Sequence, residues 1–290
     1  MDDLREIRTL LAKPEPSPEV VARRRQQLRA RMGVRVPRRR TRWLLVPVAA
    51  AAVAAAVVVG VARPGGAPPT VTTARDVLLV AATTAERTPE GSGTYWHITV
   101  TVGERPPAEY WYRRDGQFWI KGKGLKGEGK LFRFTTKPQP FNLGPLRMSF
   151  DELRGLPGDE DALYARLRSA VAAADIRTSA GTPSEADKDD FTVMTLLSLV
   201  SEAPVAPQVR AAAYRALASR PGVTDLGETD GGRRLRIPLH GGDNEVVVDP
   251  ETARVRNTPV WAPLTGGLAF TTTGEGATID AEWTDELPAE

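Results

Sequence analysis

EYWYRRDGQFWIK, residues 109–121, decides the fold of this chain. It consists of two aromatic runs on either side of Asp115-Gly116, a dipeptide that favours a tight turn between antiparallel strands because glycine reaches positive φ at no steric cost. As a two-residue turn it pairs Tyr112 with Trp119 and Tyr110 with Lys121 on one face. Trp111 with Ile120 and Arg113 with Phe118 fall on the other. A sheet with one wet face alternates cleanly between apolar and polar, so large apolar groups on both faces predict cover on both sides. Helices would supply one cover. The other is either a ligand or the Pro-containing loops 137–148 and 257–267. Tyr110, Tyr112, Trp111 and Trp119 are therefore candidate ligand-facing residues. A groove lined by them would take an acyl or isoprenoid chain by burial alone, at roughly 0.8 kcal/mol per methylene.

Outward from the hairpin, Tyr95 to Val102 reads as a strand before it and Leu131 to Thr135 as one after it. The middle of the chain turns helical. Ser149-Phe-Asp-Glu152 is a capping box, in which a hydroxyl and a carboxylate three residues apart satisfy each other's backbone N–H. Gly158 to Asp161 leads into Leu163, Leu167 and Val171, spaced four apart on one helix face. Asp187 to Asp190 precede the apolar run Phe191 to Val200, and Pro207 opens a helix through Ala218. Strands return at 223–227, 234–239, 245–248, 253–255, 268–272 and 278–283, with Asp249-Pro250-Glu251-Thr252 as a plain turn. Strands, then helices, then strands predict an α+β domain with a largely antiparallel sheet packed with helices.

Before the hairpin, Thr73-Ala-Arg-Asp76 caps a helix carrying Val77, Leu78, Val80, Ala81 and Ala82. Pro64 to Thr73 is a Pro, Gly and Thr linker. Ahead of it, Trp43 to Ala62 has no charged residue, and as a helix reaches about 30 Å, the thickness of a bilayer's hydrocarbon core. Arg38, Arg39, Arg40 and Arg42 flank its amino-terminal side, against Arg63 alone on the other, which orients the segment amino terminus inside. The expected domains are thus a basic cytosolic arm at 1–42, a single transmembrane helix at 43–62, a linker at 63–74, an extracytoplasmic α+β domain at 75–285 and a tail at 286–290. Charge divides the same way: residues 1–42 hold thirteen basic and five acidic residues, and residues 63–290 hold 26 and 31. The high isoelectric point belongs to the arm, and gives no reason to expect a nucleic-acid partner. Leu4, Ile7, Leu10 and Leu11 form the apolar face of a short helix that needs a partner to be stable, which makes them candidate cytosolic docking residues.

Chemistry-bearing motifs are few. Gly122-Lys-Gly124-Leu-Lys-Gly127 matches a dinucleotide fingerprint literally, but Gly129, Lys130 and a strand follow where a helix would have to start. The acids at 159–161 and 187–190 lack the glycine and distal glutamate of a hand-type calcium loop and suit helix amino termini instead. Two histidines, His97 and His240, with no cysteine and no nucleophile elbow, signal neither a catalytic triad nor a zinc site. The expectation is a non-enzymatic protein with no cofactor and no metal.

The arm pattern, the Arg-flanked span, Leu156-Pro157-Gly-Asp159, the Val209 to Leu217 helix with Pro221-Gly222-Val223, and Val246-Val-Val-Asp249-Pro250 occur together in an order that resembles a family of uncharacterised actinobacterial single-pass membrane proteins. The likeness covers nearly the whole chain. It implies a cell-membrane location, and a regulator such as an extracytoplasmic-function sigma factor, often encoded beside members, as a partner for the arm. The order of elements also resembles the half-barrel of bacterial lipoprotein carriers, at the level of fold alone. Two functions stay open: an outer domain that senses an envelope ligand or partner while the arm docks a regulator, or an envelope lipid or lipoprotein binder whose arm is only an anchor.

Overall fold

A computed structural model describes residues 73–134, 137–178, 181–240, 242–258, 260–261, 269–270 and 276–288. The chain divides into two compact units, Met1–Gly66 and Ala67–Glu290, and the described residues belong to the second. The arginines at 38–42, the docking face Leu4, Ile7, Leu10 and Leu11, and the expected span at 43–62 lie outside them. Among the described residues no helix is long and apolar enough to cross a membrane.

In chain order the elements are α1 (Ala74–Arg87), β1 (Tyr95–Val102), β2 (Ala108–Arg113), β3 (Phe118–Lys121), β4 (Phe132–Arg133), β5 (Phe141–Leu143), β6 (Leu146–Met148), α2 (Phe150–Arg154), α3 (Glu160–Ala173), α4 (Glu185–Ser201), α5 (Pro207–Ala218), β7 (Thr224–Thr229), β8 (Gly232–Leu239), β9 (Gly242–Asp249), β10 (Arg254–Asn257), β11 (Val260–Trp261), β12 (Ala269–Phe270) and β13 (Ala277–Thr284). Five strands pair antiparallel in the order β13-β1-β2-β3-β4, and four in the order β10-β9-β8-β7. One antiparallel bridge joins the two sheets, with Thr258 N–H donating to Ala277 O at 2.9 Å and Ala277 N–H to Thr258 O at 2.7 Å. The result is the expected α+β arrangement with antiparallel sheets.

Helix starts follow the capping signals. Thr73 with Asp76, Ser149 with Glu152, and Ser184 with Asp187 each form reciprocal caps. The last of these starts α4 at Glu185, so the acids 187–190 lie inside its first turns. α4 is then buried nearly all round from Thr192 to Val200, and Thr195 satisfies its hydroxyl on Phe191 O at 2.8 Å and Leu143 O at 3.2 Å. α1 packs along α5, which also meets α3 and α4. Leu163, Leu167 and Val171 on α3 are fully buried, as their spacing predicts.

The hairpin register differs from the two-residue reading. Tyr112 pairs with Phe118, Trp111 with Trp119, Tyr110 with Ile120 and Glu109 with Lys121. The turn holds three residues, Arg114, Asp115 and Gly116: Gly116 N–H donates to Arg113 O at 2.9 Å and Arg113 N–H to Gln117 O at 2.8 Å. Gly116 takes φ +81, the left-handed position that closes such a loop. Gln139 N–H reaches Gly116 O at 2.8 Å, and a Cβ on Gly116 would stand 2.8 Å from Gln139 O. This one-residue shift regroups the faces. Tyr110, Tyr112, Phe118 and Ile120 join the main core with the helices, while Trp111 and Trp119 form a second apolar cluster with Leu131, edged by Tyr95 and Leu287.

Candidate functional site

The four candidate ligand-facing aromatics do not form one groove, because the observed register puts Tyr110 and Tyr112 on one face of the sheet and Trp111 and Trp119 on the other. All four are buried. The β5–β6 hairpin closes the inner face, with the Phe141 ring centroid 4.0 Å from that of Tyr112 and the Tyr112 hydroxyl donating to Pro140 O at 3.1 Å. Burial pushes both phenol pKa values up, against Arg147 for Tyr112 and with Glu202 for Tyr110. The 137–148 segment thus packs on the face that the helices also cover, and most of 257–267 lies outside the described residues.

Other sequence features resolve into local structure. The Gly122–Gly127 stretch is a turn between β3 and β4, with Leu125 and Gly129 N–H groups both donating to Gly122 O, and no helix begins there. Asp159 caps α3 through Ala162 N–H at 2.9 Å. Asp190 accepts from His240 N–H at 2.8 Å. His97 stacks on Trp111 at 4.5 Å, with Nε2 3.3 Å from Glu109 and 3.4 Å from the Thr99 hydroxyl. No group of three or more His, Asp or Glu among the described residues is placed to hold a metal ion.

One cleft has the makings of a site. It measures about 310 Å³ and opens between the carboxy-terminal end of α1, the α4–α5 junction, β13 and the turn before β10. That volume sits at the lower end of small-molecule pockets. Trp96 and Trp283 wall it, edge to face at 5.2 Å. Trp96 is fixed by its indole N–H, which donates to Glu202 O at 2.7 Å, and Trp283 by the Arg114 guanidinium 4.1 Å from its ring centre. Val200, Val205, Val255 and Ile279 are buried around the floor. The local sequence explains the opening. Ala203-Pro204-Val205-Ala206-Pro207 forces an extended break between α4 and α5, because a proline disfavours helix in the residue before it. The two helices therefore part beside the end of α1.

Arg210, in the first turns of α5, is one of the cleft's polar groups. Its Nη2 donates to Ala203 O at 3.0 Å, while Nε is fully buried without a hydrogen-bond partner. It forms no ion pair with a carboxylate among the described residues. Burial draws its pKa below the usual arginine range, Arg254 across the cleft acts in the same direction, and Tyr214 opposes them. Arg254 is paired with Asp280 at 3.1 Å. The α5 amino terminus adds its own positive end: Ala206 offers no side-chain cap and no acid lies in the first turn. Sequence reading missed Arg210, Trp96 and Trp283. The signal present was the double-proline break, which marks where two helices must separate; the two tryptophans come from strands nearly two hundred residues apart in the chain.

An α+β domain with one walled cleft on the helical side of its sheets is the class that fold and site define. No known protein family and no curated protein matches the chain. Among solved structures, a LolA superfamily protein from Nitrosomonas europaea matches at 11% identity and a TM-score of 0.22, covering 75% of this chain and 96% of that chain. A likeness at this level carries no argument about fold or activity.

Proposed function

We propose that this chain is a non-enzymatic, membrane-tethered binding protein whose folded domain takes a small, largely apolar ligand in the Trp96–Trp283 cleft. The observation that carries the reading is the cleft itself: an apolar floor, a wall made by the Trp96–Trp283 pair, and polar groups, Arg210 among them, around the rest. Residues 43–62 would hold the domain on the outer side of the membrane. The basic arm, through Leu4, Ile7, Leu10 and Leu11, would dock a cytosolic regulator such as a sigma factor; in the simpler version it is an anchor alone. Both statements rest on the sequence. No reaction is assigned to the cleft: its lining contains no histidine and no cysteine, and its acids Glu90 and Glu282 stand exposed at the mouth.

The test is mass spectrometry of organic material extracted from the purified full-length protein. A reproducible amphiphile is expected in the wild type and its loss in Val205→Trp, which fills the floor, with an unchanged circular-dichroism spectrum. A wild-type protein that carries nothing and takes up no fluorescent fatty acid would refute the ligand reading.

A further inference from the structure

We infer that the cleft selects an anionic amphiphile: a single aliphatic chain lying against the wall that Trp96 and Trp283 form together, with a carboxylate or phosphate head seated on Arg210. The inference rests on the cleft being a binding site and adds the chemical class of its ligand. Three observations carry it. Arg210 Nε is sealed from solvent with no acceptor, and Nη2 donates to the neutral carbonyl of Ala203. A neutral carbonyl leaves the positive charge of the group unneutralised, and an anion in the cleft would meet it through the guanidinium's other nitrogens rather than through the sealed Nε. The guanidinium also has no ion pair among the described residues, and Arg254, which lines the same cleft, shares the Asp280 carboxylate with Arg256. The charge is therefore available to a ligand rather than committed within the fold, and a guanidinium's planar set of donors matches a carboxylate or phosphate in two parallel hydrogen bonds. Finally, the Trp96–Trp283 wall and the valine and isoleucine floor are apolar while Arg210 and other polar groups line the rest, so a head without a chain would leave the apolar part wet, and a chain without a head would leave Arg210 without an anionic partner. Glu90 and Glu282 do not cancel the preference. Both are exposed at the mouth, where water screens them, whereas Arg210 is only partly exposed, with its Nε sealed, and is screened less.

Matched photoreactive probes test this on the full-length protein in neutral-lipid discs: diazirine-bearing decanoic acid, decyl phosphate and decanol. The readout is mass-spectrometric labelling of the peptides containing Trp96 and Trp283, normalised to labelling of the surrounding lipid. The wild type is expected to label about tenfold or more strongly with at least one acidic probe than with decanol, and the stronger of the two identifies carboxylate or phosphate as the head. Arg210→Gln should abolish that preference while leaving decanol labelling unchanged, which also reports that the cleft is still formed. Arg210→Lys, which keeps the charge, should retain most of the preference. Equal labelling of the wild-type cleft by acid and alcohol would overturn the inference while leaving the cleft as a binding site. Failure of all three probes to label the cleft would instead refute the binding reading on which it rests.

Discussion

Replacing Arg220 with Met should destabilise the domain at neutral pH and cease to matter in acid. Arg220 follows α5 and ties three helices together: Nη2 lies 2.6 Å from Asp189 Oδ2 on α4, and Nη1 is 3.3 Å from Oδ1 and 3.4 Å from the Tyr164 hydroxyl on α3. Tyr164 in turn donates to Asp189 Oδ1 at 2.6 Å. The Arg220 hydrogen bond holds the Asp189 carboxyl below the usual carboxylate range, overcoming the opposing effect of burial, with Tyr164 and Arg168 assisting. The Asp189 side chain is 34% exposed and that of Arg220 15%, so solvent screens part of the pair. Its worth is therefore nearer a surface than a buried ion pair, about 0.5–1 kcal/mol. Two effects limit the loss further: Arg220 Nε is buried without a partner and its removal relieves that cost, while Met replaces much of the apolar stem. Asp189 has a folded pKa below its unfolded value, so the stabilisation is complete above the unfolded value of about 3.9 and disappears as pH falls through the folded one. Urea melts of residues 67–290 should show a gap between wild type and Arg220→Met at pH 7 that closes below about pH 4. A gap of constant size down to strong acid would show that only packing was lost, and no gap at pH 7 would refute the tie altogether.

Three further outcomes follow from geometry described above. Gly116→Ala should cost about 2–4 kcal/mol in the same melts, from left-handed backbone strain plus the collision with Gln139 O, whereas Gly124→Ala, whose new Cβ meets nothing within 4 Å, should cost only the strain. Tyr214→Phe should cost about 1–3 kcal/mol, because the fully buried hydroxyl donates to Ala253 O at 3.0 Å and that carbonyl would lose its partner. Protease added to intact spheroplasts should digest the domain beyond residue 67 and spare the arm; survival of the domain while a surface control is cut would refute the proposed topology.

Helix beginnings were legible because their determinants are local. Thr73 and Asp76, or Ser149 and Glu152, sit three residues apart and meet in the first turn whatever the rest of the chain does. The hairpin register was not, although Asp115-Gly116 marks the turn correctly. What favours the three-residue loop includes a hydrogen bond from Gln139, twenty-three positions away, and no pattern within 109–121 contains that partner. The cleft was harder still. Arg210 looks like any cation on an amphipathic helix, and only packing reveals that its Nε has no acceptor and that Trp96 and Trp283, from β1 and β13, stand as walls beside it. Polarity of a site is a tertiary quantity when each wall comes from a different segment.

The single bridge between Thr258 and Ala277 has a consequence for how this domain could vary or be engineered. Thr258 and Ala277 meet through neighbouring backbone atoms, so the two ends of the connection between them are pinned by one pair of hydrogen bonds. Lengthening such a connection carries only a logarithmic entropy cost, about 0.6 kcal/mol for each doubling. Fluorescent reporters or affinity modules inserted there would leave strand order intact. The return point is far less forgiving: a Cβ on Gly276 would fall 1.6 Å from the Asn257 side-chain oxygen. Because Val255 and Ile279 flank that seam and also border the cleft, a reporter spliced between them would sit within a few residues of the cleft lining.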